Sequence, residues 1–225
     1  MNTLAQLDAV ERAVTSRLAD GRPANVVRIR QTYNASRDDV WDACTNPERI
    51  PRWLMPISGD LRLGGTYQLH GNASGTILAC EPGQALAITW EYGGEVSWVD
   101  VTLSGPDAGP TTLTVEHAAP ADDPRWKEFG PGAVGIGWDM MLLGLAQHLT
   151  GGGSITPEEA LGWTASEEGR AFMTGSGDRW RKAHVASGEP PDQAKAAADR
   201  TLAAYTGSPD AAEAADAEGV AGSQA

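Results

Sequence analysis

Apolar residues recur every three or four positions between Pro131 and Thr150, and this pattern is the strongest signal in the sequence. They are Trp138, Met141, Leu142, Leu145 and Leu149. This spacing is typical of a helix that packs one apolar stripe against another layer. Every clear strand pattern lies earlier, between Val26 and His117. The sequence therefore predicts an α+β fold in which a long helix closes an antiparallel sheet.

Seven segments have the alternating or β-branched composition of strands, and turn residues such as Gly64-Gly65 and Gly93-Gly94 separate them. They span residues 26–33, 57–60, 66–70, 75–80, 85–91, 96–104 and 111–117. Two helices are predicted after the first strand, one from Ser36 to Cys44 and a shorter one from Asn46 to Trp53. Ser36 and Asn46 are favourable N-cap residues. The predicted order is strand, two helices, six strands and the long helix.

The segments on both sides of this unit are predicted to be helical. Apolar residues between Thr3 and Ala19 fall on one helical face, and Gly21 with Pro23 provides a stop. Thr156 begins another helical region, which continues to residue 206. The predicted division is an N-terminal amphipathic helix at 1–22, a sheet-and-helix domain at 25–152, a helical extension at 153–206 and an acidic, disordered tail at 207–225.

The helical extension carries four large apolar residues, Trp163, Phe172, Met173 and Trp180. They are too many for a free linker and too few for an independent core. We therefore expect the extension to dock on the domain or on a partner subunit, and the second case would give a homodimer.

Charge and composition exclude several classes of partner. The formal net charge is −13, whereas nucleic acids and anionic membranes are bound by clustered Lys and Arg. No segment has the roughly 18 apolar residues of a membrane span, and Asp8, Glu11 and Arg12 stand where a secretory leader would be apolar. A cytoplasmic location is expected. Cys44 and Cys80 lack metal-site spacing and are expected to be buried free thiols.

The ordered set of segments resembles a known superfamily. The segments include ACTNPERIPRWLMP, GDLRLGGTYQL, GTILACEPGQALAITWEY, TTLTVEH and GWDMMLLGLAQHL, and they extend over residues 25–150. Together they are similar to the START-like (SRPBCC) helix-grip superfamily, within it to the C-terminal domain of the activator of heat-shock protein 90 ATPase. The resemblance implies a curved antiparallel sheet around the long helix, with a hydrophobic cavity that often holds a small apolar ligand.

Strand alternation indicates which side chains would line such a cavity. One face of each strand should point at the helix, and residues 53–54 of the short helix should close one end. The predicted ligand-binding residues are Trp53, Leu54, Tyr67, Leu69, Ile88, Trp90, Val99, Val101, Val115, His117, Trp138, Met141, Leu142 and Leu145. The alternative is that these side chains only pack against one another. The eight Trp residues favour an amphipathic pocket, because an indole carries a polar N–H that a purely apolar core does not need.

Catalytic motifs are absent from the sequence. His117 is the one titratable side chain on the predicted cavity face, and a hydrogen-bonded core histidine is the alternative. The segment from Gly130 to Gly137 lacks the spacing of a phosphate loop, and close backbone packing explains its glycines equally well. No metal and no cofactor are expected.

Two functions are compatible with the sequence. In the first, the protein binds a small apolar molecule, or a protein partner as a co-chaperone does, without chemistry of its own. In the second, it is an enzyme of the polyketide cyclase or aromatase type that uses the same cavity. The first is favoured because the predicted cavity face has almost no ionisable residues.

Overall fold

A computed structural model describes residues 3–106, 108–151 and 154–207. Nearly all of the predicted acidic tail, residues 208–225, lies outside these ranges. The strands are β1 (Val10–Ala19), β2 (Arg22–Tyr33), β3 (Ile57–Gly59), β4 (Thr66–Leu69), β5 (Ser74–Glu81), β6 (Ala85–Tyr92), β7 (Glu95–Ser104) and β8 (Thr111–Pro120). The helices are α1 (Thr3–Asp8), α2 (Arg37–Thr45), α3 (Pro124–Phe129), α4 (Gly132–Leu149), α5 (Pro157–Ala165), α6 (Glu167–Ala186) and α7 (Pro191–Thr206), with a 3-10 turn at Ile50–Arg52.

The strands form one curved antiparallel sheet, and α4 packs against it. The strand order is β1-β2-β8-β7-β6-β5-β4-β3. Ile136, Leu142 and Leu145 of α4 share one hydrophobic core with residues of β2, β7 and β8. This arrangement is the helix-grip fold, so the predicted fold class is confirmed. None of the described helices is long and apolar enough to cross a membrane.

The N-terminal amphipathic helix predicted for residues 1–22 is wrong for most of its length. The helix α1 ends at Asp8, and β1 pairs with β2 from Val10 opposite Gln31 to the end of the hairpin. Asp20 and Gly21 form the turn with φ values of 48° and 73°. Positive φ at both central residues is the geometry of the tight hairpin turn that Asp-Gly favours. Asp20-Gly21 is therefore a hairpin signal in the sequence. Hydrogen bonding with β2 makes residues 10–19 a strand although their apolar residues have helical spacing.

Two glycines of α4 allow neighbouring elements to approach its backbone closely. A Cβ atom on Gly135 would lie 2.4 Å from the indole of Trp180, and one on Gly144 would lie 2.4 Å from the carbonyl oxygen of Trp53. Any side chain at either position would displace these neighbours. Gly135 and Gly144 therefore allow Trp180 and Trp53 to pack closely against α4.

The helical extension completes the core of the domain. Phe172, Met173 and Trp180 of α6 are almost fully buried, and Met173 and Trp180 belong to the same core as α4 and the sheet. Trp163 of α5 packs on Phe172 with ring centroids 5.4 Å apart. These large apolar side chains thus pack within the chain itself. A homodimer through the extension stays a prediction.

A buried carboxylate on α4 joins three elements. The side chain of Asp139 is 0% exposed and that of Arg12, on β1, is 5% exposed. Arg12 donates from Nη2 to Oδ1 at 2.6 Å and from Nε to Oδ2 at 3.0 Å. Ser176 Oγ and Trp180 Nε1, both on α6, also donate to Oδ2 at 2.5 and 3.0 Å. Because a buried charge is tolerated only when paired and hydrogen-bonded, this network ties β1 and α6 to α4.

Removing one partner of this pair should strongly destabilise the fold. We expect Arg12→Ala to lower the free energy of unfolding by about 3–5 kcal/mol, because it leaves the Asp139 carboxylate buried without its cation. The matched control is Arg30→Ala, since Arg30 forms an exposed pair with Glu11 at 3.4 Å. Its loss should be at most about 1 kcal/mol. Urea unfolding at pH 7 measures both, and equal losses would contradict the assignment.

Candidate functional site

A cavity of about 200 Å³ lies between the sheet and α4. Its deep wall is formed by buried side chains of three elements: Val99 and Leu103 of β7, Leu113 and Val115 of β8, and Leu142 and Leu145 of α4. All of them are aliphatic. The inner end of the cavity therefore offers only dispersion contacts and apolar burial to an occupant.

Tryptophan side chains form much of the remaining wall, and the mouth of the cavity is exposed. Trp41 of α2, Trp53, Trp90 of β6 and Trp138 of α4 are half-buried lining residues. Arg62 and Leu63, in the loop before β4, line the cavity and are exposed, as is Cys80 near the end of β5. This loop and the end of β5 therefore border the opening to solvent.

Of the fourteen predicted ligand-binding residues, all except His117 line this cavity. They are Trp53, Leu54, Tyr67, Leu69, Ile88, Trp90, Val99, Val101, Val115, Trp138, Met141, Leu142 and Leu145. The period-two alternation of the strands and the apolar stripe of α4 account for this convergence. That they bind a ligand stays a prediction.

The sequence patterns missed the lining residues from α2 and from the mouth. Trp41 and Cys44 lie three residues apart on α2, the spacing that puts two side chains on one helical face. This spacing predicts that Trp41 and Cys44 share one face of α2, but it does not indicate which neighbouring element that face contacts. The expected burial of Cys80 is wrong, because this residue of β5 is exposed.

Most polar groups that line the cavity are already hydrogen-bonded within the protein. The Tyr67 hydroxyl donates to the carbonyl oxygen of Thr89 at 2.8 Å, and the Trp53 indole N–H donates to that of Ala43 at 3.0 Å. Burial raises the pKa of the Cys44 thiol to about 12, and it also raises the pKa of Tyr67. At neutral pH these groups therefore stay uncharged, and neither is poised to act as a base or a nucleophile.

Two indole groups of the wall differ from the rest. Among the described residues, none forms a hydrogen bond with the indole N–H of Trp41 or of Trp90. Both belong to half-buried side chains that line the cavity.

His117, predicted to line this cavity, lies behind its wall and borders a second cavity. The Trp138 indole N–H donates to its Nδ1 at 3.1 Å, and its Nε2 lies 2.7 Å from Ser97 Oγ. Since an indole nitrogen only donates, Nδ1 must be the unprotonated nitrogen and Nε2 carries the hydrogen. Ser97 in turn donates to the carbonyl oxygen of Trp90 at 3.1 Å. His117 is thus a neutral, hydrogen-bonded core residue, and burial lowers its pKa to about 4.

Comparison with known proteins places these features in a family. The family model described as activator of Hsp90 ATPase homolog 1-like protein matches residues 34–150. No curated protein matches the chain.

Solved structures extend the similarity beyond that segment. The crystal structure of CalU16 from Micromonospora echinospora is 37% identical with a TM-score of 0.64, covering 78% of this chain and 98% of its own. The solution structure of CalU16 is 38% identical with a TM-score of 0.65, covering 80% and 97%. A conserved protein of unknown function from Enterococcus faecalis, EF2215, is 16% identical with a TM-score of 0.53, covering 78% and 92%, and shows the shared fold alone.

The buried imidazole should make stability depend on pH. In the unfolded chain His117 binds a proton near pH 6.5, whereas in the folded protein it does so only near pH 4. Between these values the unfolded state binds more protons, so the stability contributed by neutral His117 is lost as the pH falls. We expect the wild type to lose about 2 kcal/mol more than His117→Gln between pH 7 and pH 5. Urea titrations of both proteins at the two pH values measure this difference, and parallel losses would rule it out.

Proposed function

The chain belongs to the family of activator of Hsp90 ATPase homolog 1-like proteins, and on that premise we propose that it binds a small apolar molecule between the sheet and α4. The observation that carries the proposal is the cavity itself. Its inner wall is aliphatic, and its hydroxyl and thiol groups are uncharged. An apolar ligand would gain from leaving water there without breaking any hydrogen bond of the protein.

The volume of the cavity limits the size of the ligand. An apolar protein cavity of roughly 150 Å³ holds benzene, whereas pockets for drug-sized ligands measure roughly 300–1,000 Å³. At about 200 Å³, the cavity suits a compact molecule of one or two rings, or a short hydrocarbon chain. The indole N–H groups of Trp41 and Trp90 form no hydrogen bond with described residues, so a ligand with an acceptor oxygen, such as a ketone or an ether, would be favoured if it reached them.

An enzyme of the cyclase or aromatase type is the alternative, and it has less support. Such an enzyme needs a group that moves protons at the ligand. His117, the residue predicted for that role, lies behind Trp138 with both ring nitrogens hydrogen-bonded. A protein-binding role like that of a co-chaperone rests on the family description alone.

Filling the cavity should abolish binding of an apolar probe. We expect naphthalene and toluene to raise the Tm of the wild type and to leave that of Val101→Trp unchanged, because the new indole occupies the space. The matched control is Thr102→Trp, one position further along β7 on the exposed face, which should keep the wild-type response. Thermal unfolding with and without each probe measures the effect.

A second measurement addresses the natural ligand. Organic extracts of the purified wild type should contain a compact apolar compound by mass spectrometry, and extracts of Val101→Trp should lack it. If neither probe shifts the wild-type Tm and its extracts are empty, the proposal fails.

A further inference from the structure

A second cavity of about 230 Å³ lies on the other side of Trp90 from the first. It is bounded by the β6–β7 hairpin, the end of β8, α3 and the start of α4. Trp90, His117 and Trp138 form the partition between the cavities, with ring centroids 5.4 to 6.0 Å apart. Of the described residues, only Trp90 lines both cavities. The second cavity is therefore a separate space with its own chemistry.

Three aromatic side chains line this second cavity. Trp90 forms part of its inner wall, while Tyr92 and Trp126 come from the end of β6 and from α3. Tyr92 is 58% exposed although it is a large side chain, and Trp126 is half-buried. The faces of Trp and Tyr rings carry negative electrostatic potential and attract cations, and several such faces around one space form an aromatic cage.

The charges around the cavity leave one carboxylate unneutralised. Arg125 donates from Nε and Nη2 to the carboxylate of Asp123 at 3.3 and 3.4 Å, so these two charges compensate each other. Glu95, at the start of β7, has no ion pair or hydrogen bond through its side chain with any described residue. His117 adds no charge at neutral pH because it is held neutral between Trp138 and Ser97. The lining thus has a formal charge of −1, in a chain whose net charge is −13.

We propose that this second cavity binds a small organic cation, an alkylammonium or quaternary ammonium group, through Trp90, Tyr92, Trp126 and Glu95. The aromatic faces would contact the alkyl groups of the cation, and Glu95 would supply the opposite charge. This site is independent of the apolar ligand proposed above, since it lies beyond the Trp90 partition. An anion at Arg125 is the competing occupant, and the negative lining together with the Asp123 pairing argues against it.

Choline and its uncharged isostere, 3,3-dimethylbutan-1-ol, test the role of charge directly. The two molecules have nearly the same shape, so a purely apolar cavity would bind both. We expect choline to bind saturably and to shift the indole N–H signals of Trp90 and Trp126 in NMR spectra, while the neutral alcohol produces no such shifts. Absence of choline binding, or equal binding of both molecules, would overturn the proposal.

Three substitutions test which side chains hold the cation. Glu95→Gln should weaken choline binding at least about threefold, since it removes the free carboxylate. Glu81→Gln, at an exposed carboxylate at the end of β5, should leave binding unchanged. Arg125→Met should strengthen choline binding, because it releases the negative charge of Asp123. Loss of choline binding in Arg125→Met would contradict the proposal, and benzoate binding that depends on Arg125 would assign the cavity to an anion.

An independent readout separates this proposal from the apolar site. Val101→Trp fills the first cavity and should leave choline binding intact, whereas Trp126→Leu should weaken choline binding and keep the thermal response to toluene. If Val101→Trp abolished choline binding while the protein remained folded, the two cavities would act as one site and the proposal would be wrong.

Discussion

The buried carboxylate of Asp139 is the constraint on which the rest of the structure depends. It lies on α4 one residue from Trp138, about 100° around the helix from the apolar stripe that faces the cavity. Its partners come from β1 and α6, so the position of these elements determines how α4 is rotated. An Asp in this place without Arg12 would be an unpaired buried charge, which folded proteins rarely tolerate. The first strand and the extension are consequently parts of one core.

The rotation of α4 also separates the two cavities. With Asp139 held by β1 and α6, Leu142 and Leu145 face the first cavity, and the Trp138 indole N–H reaches His117. His117 then anchors Ser97, which in turn anchors the backbone of Trp90. This chain of hydrogen bonds forms a partition between an apolar space and an aromatic, acidic one. One helix orientation thus creates two cavities whose linings differ in chemistry.

Much of the fold could be predicted from local patterns. The seven predicted strands correspond to β2 through β8, and the predicted helix starts at Ser36 and Thr156 are the N-caps of α2 and α5. The helix α3 was not predicted, although Asp123 followed by Pro124 is an N-cap signal. Residues 10–19 form β1 and not the predicted helix, because their apolar spacing suits a helix as well as a strand. Local propensity cannot decide such a case, since pairing with a distant strand contributes the deciding free energy.

The sequence by itself determined which faces of the strands and of α4 are apolar, because side-chain period follows from backbone geometry. It therefore identified thirteen of the residues around the first cavity. Only the tertiary structure decided that His117 lies behind the wall, that Arg12 pairs with Asp139, and that Trp90, Tyr92, Trp126 and Glu95 surround a second space. These outcomes join residues far apart in the chain, and they depend on hydrogen-bond geometry and side-chain volume at three-dimensional contacts that no periodicity records.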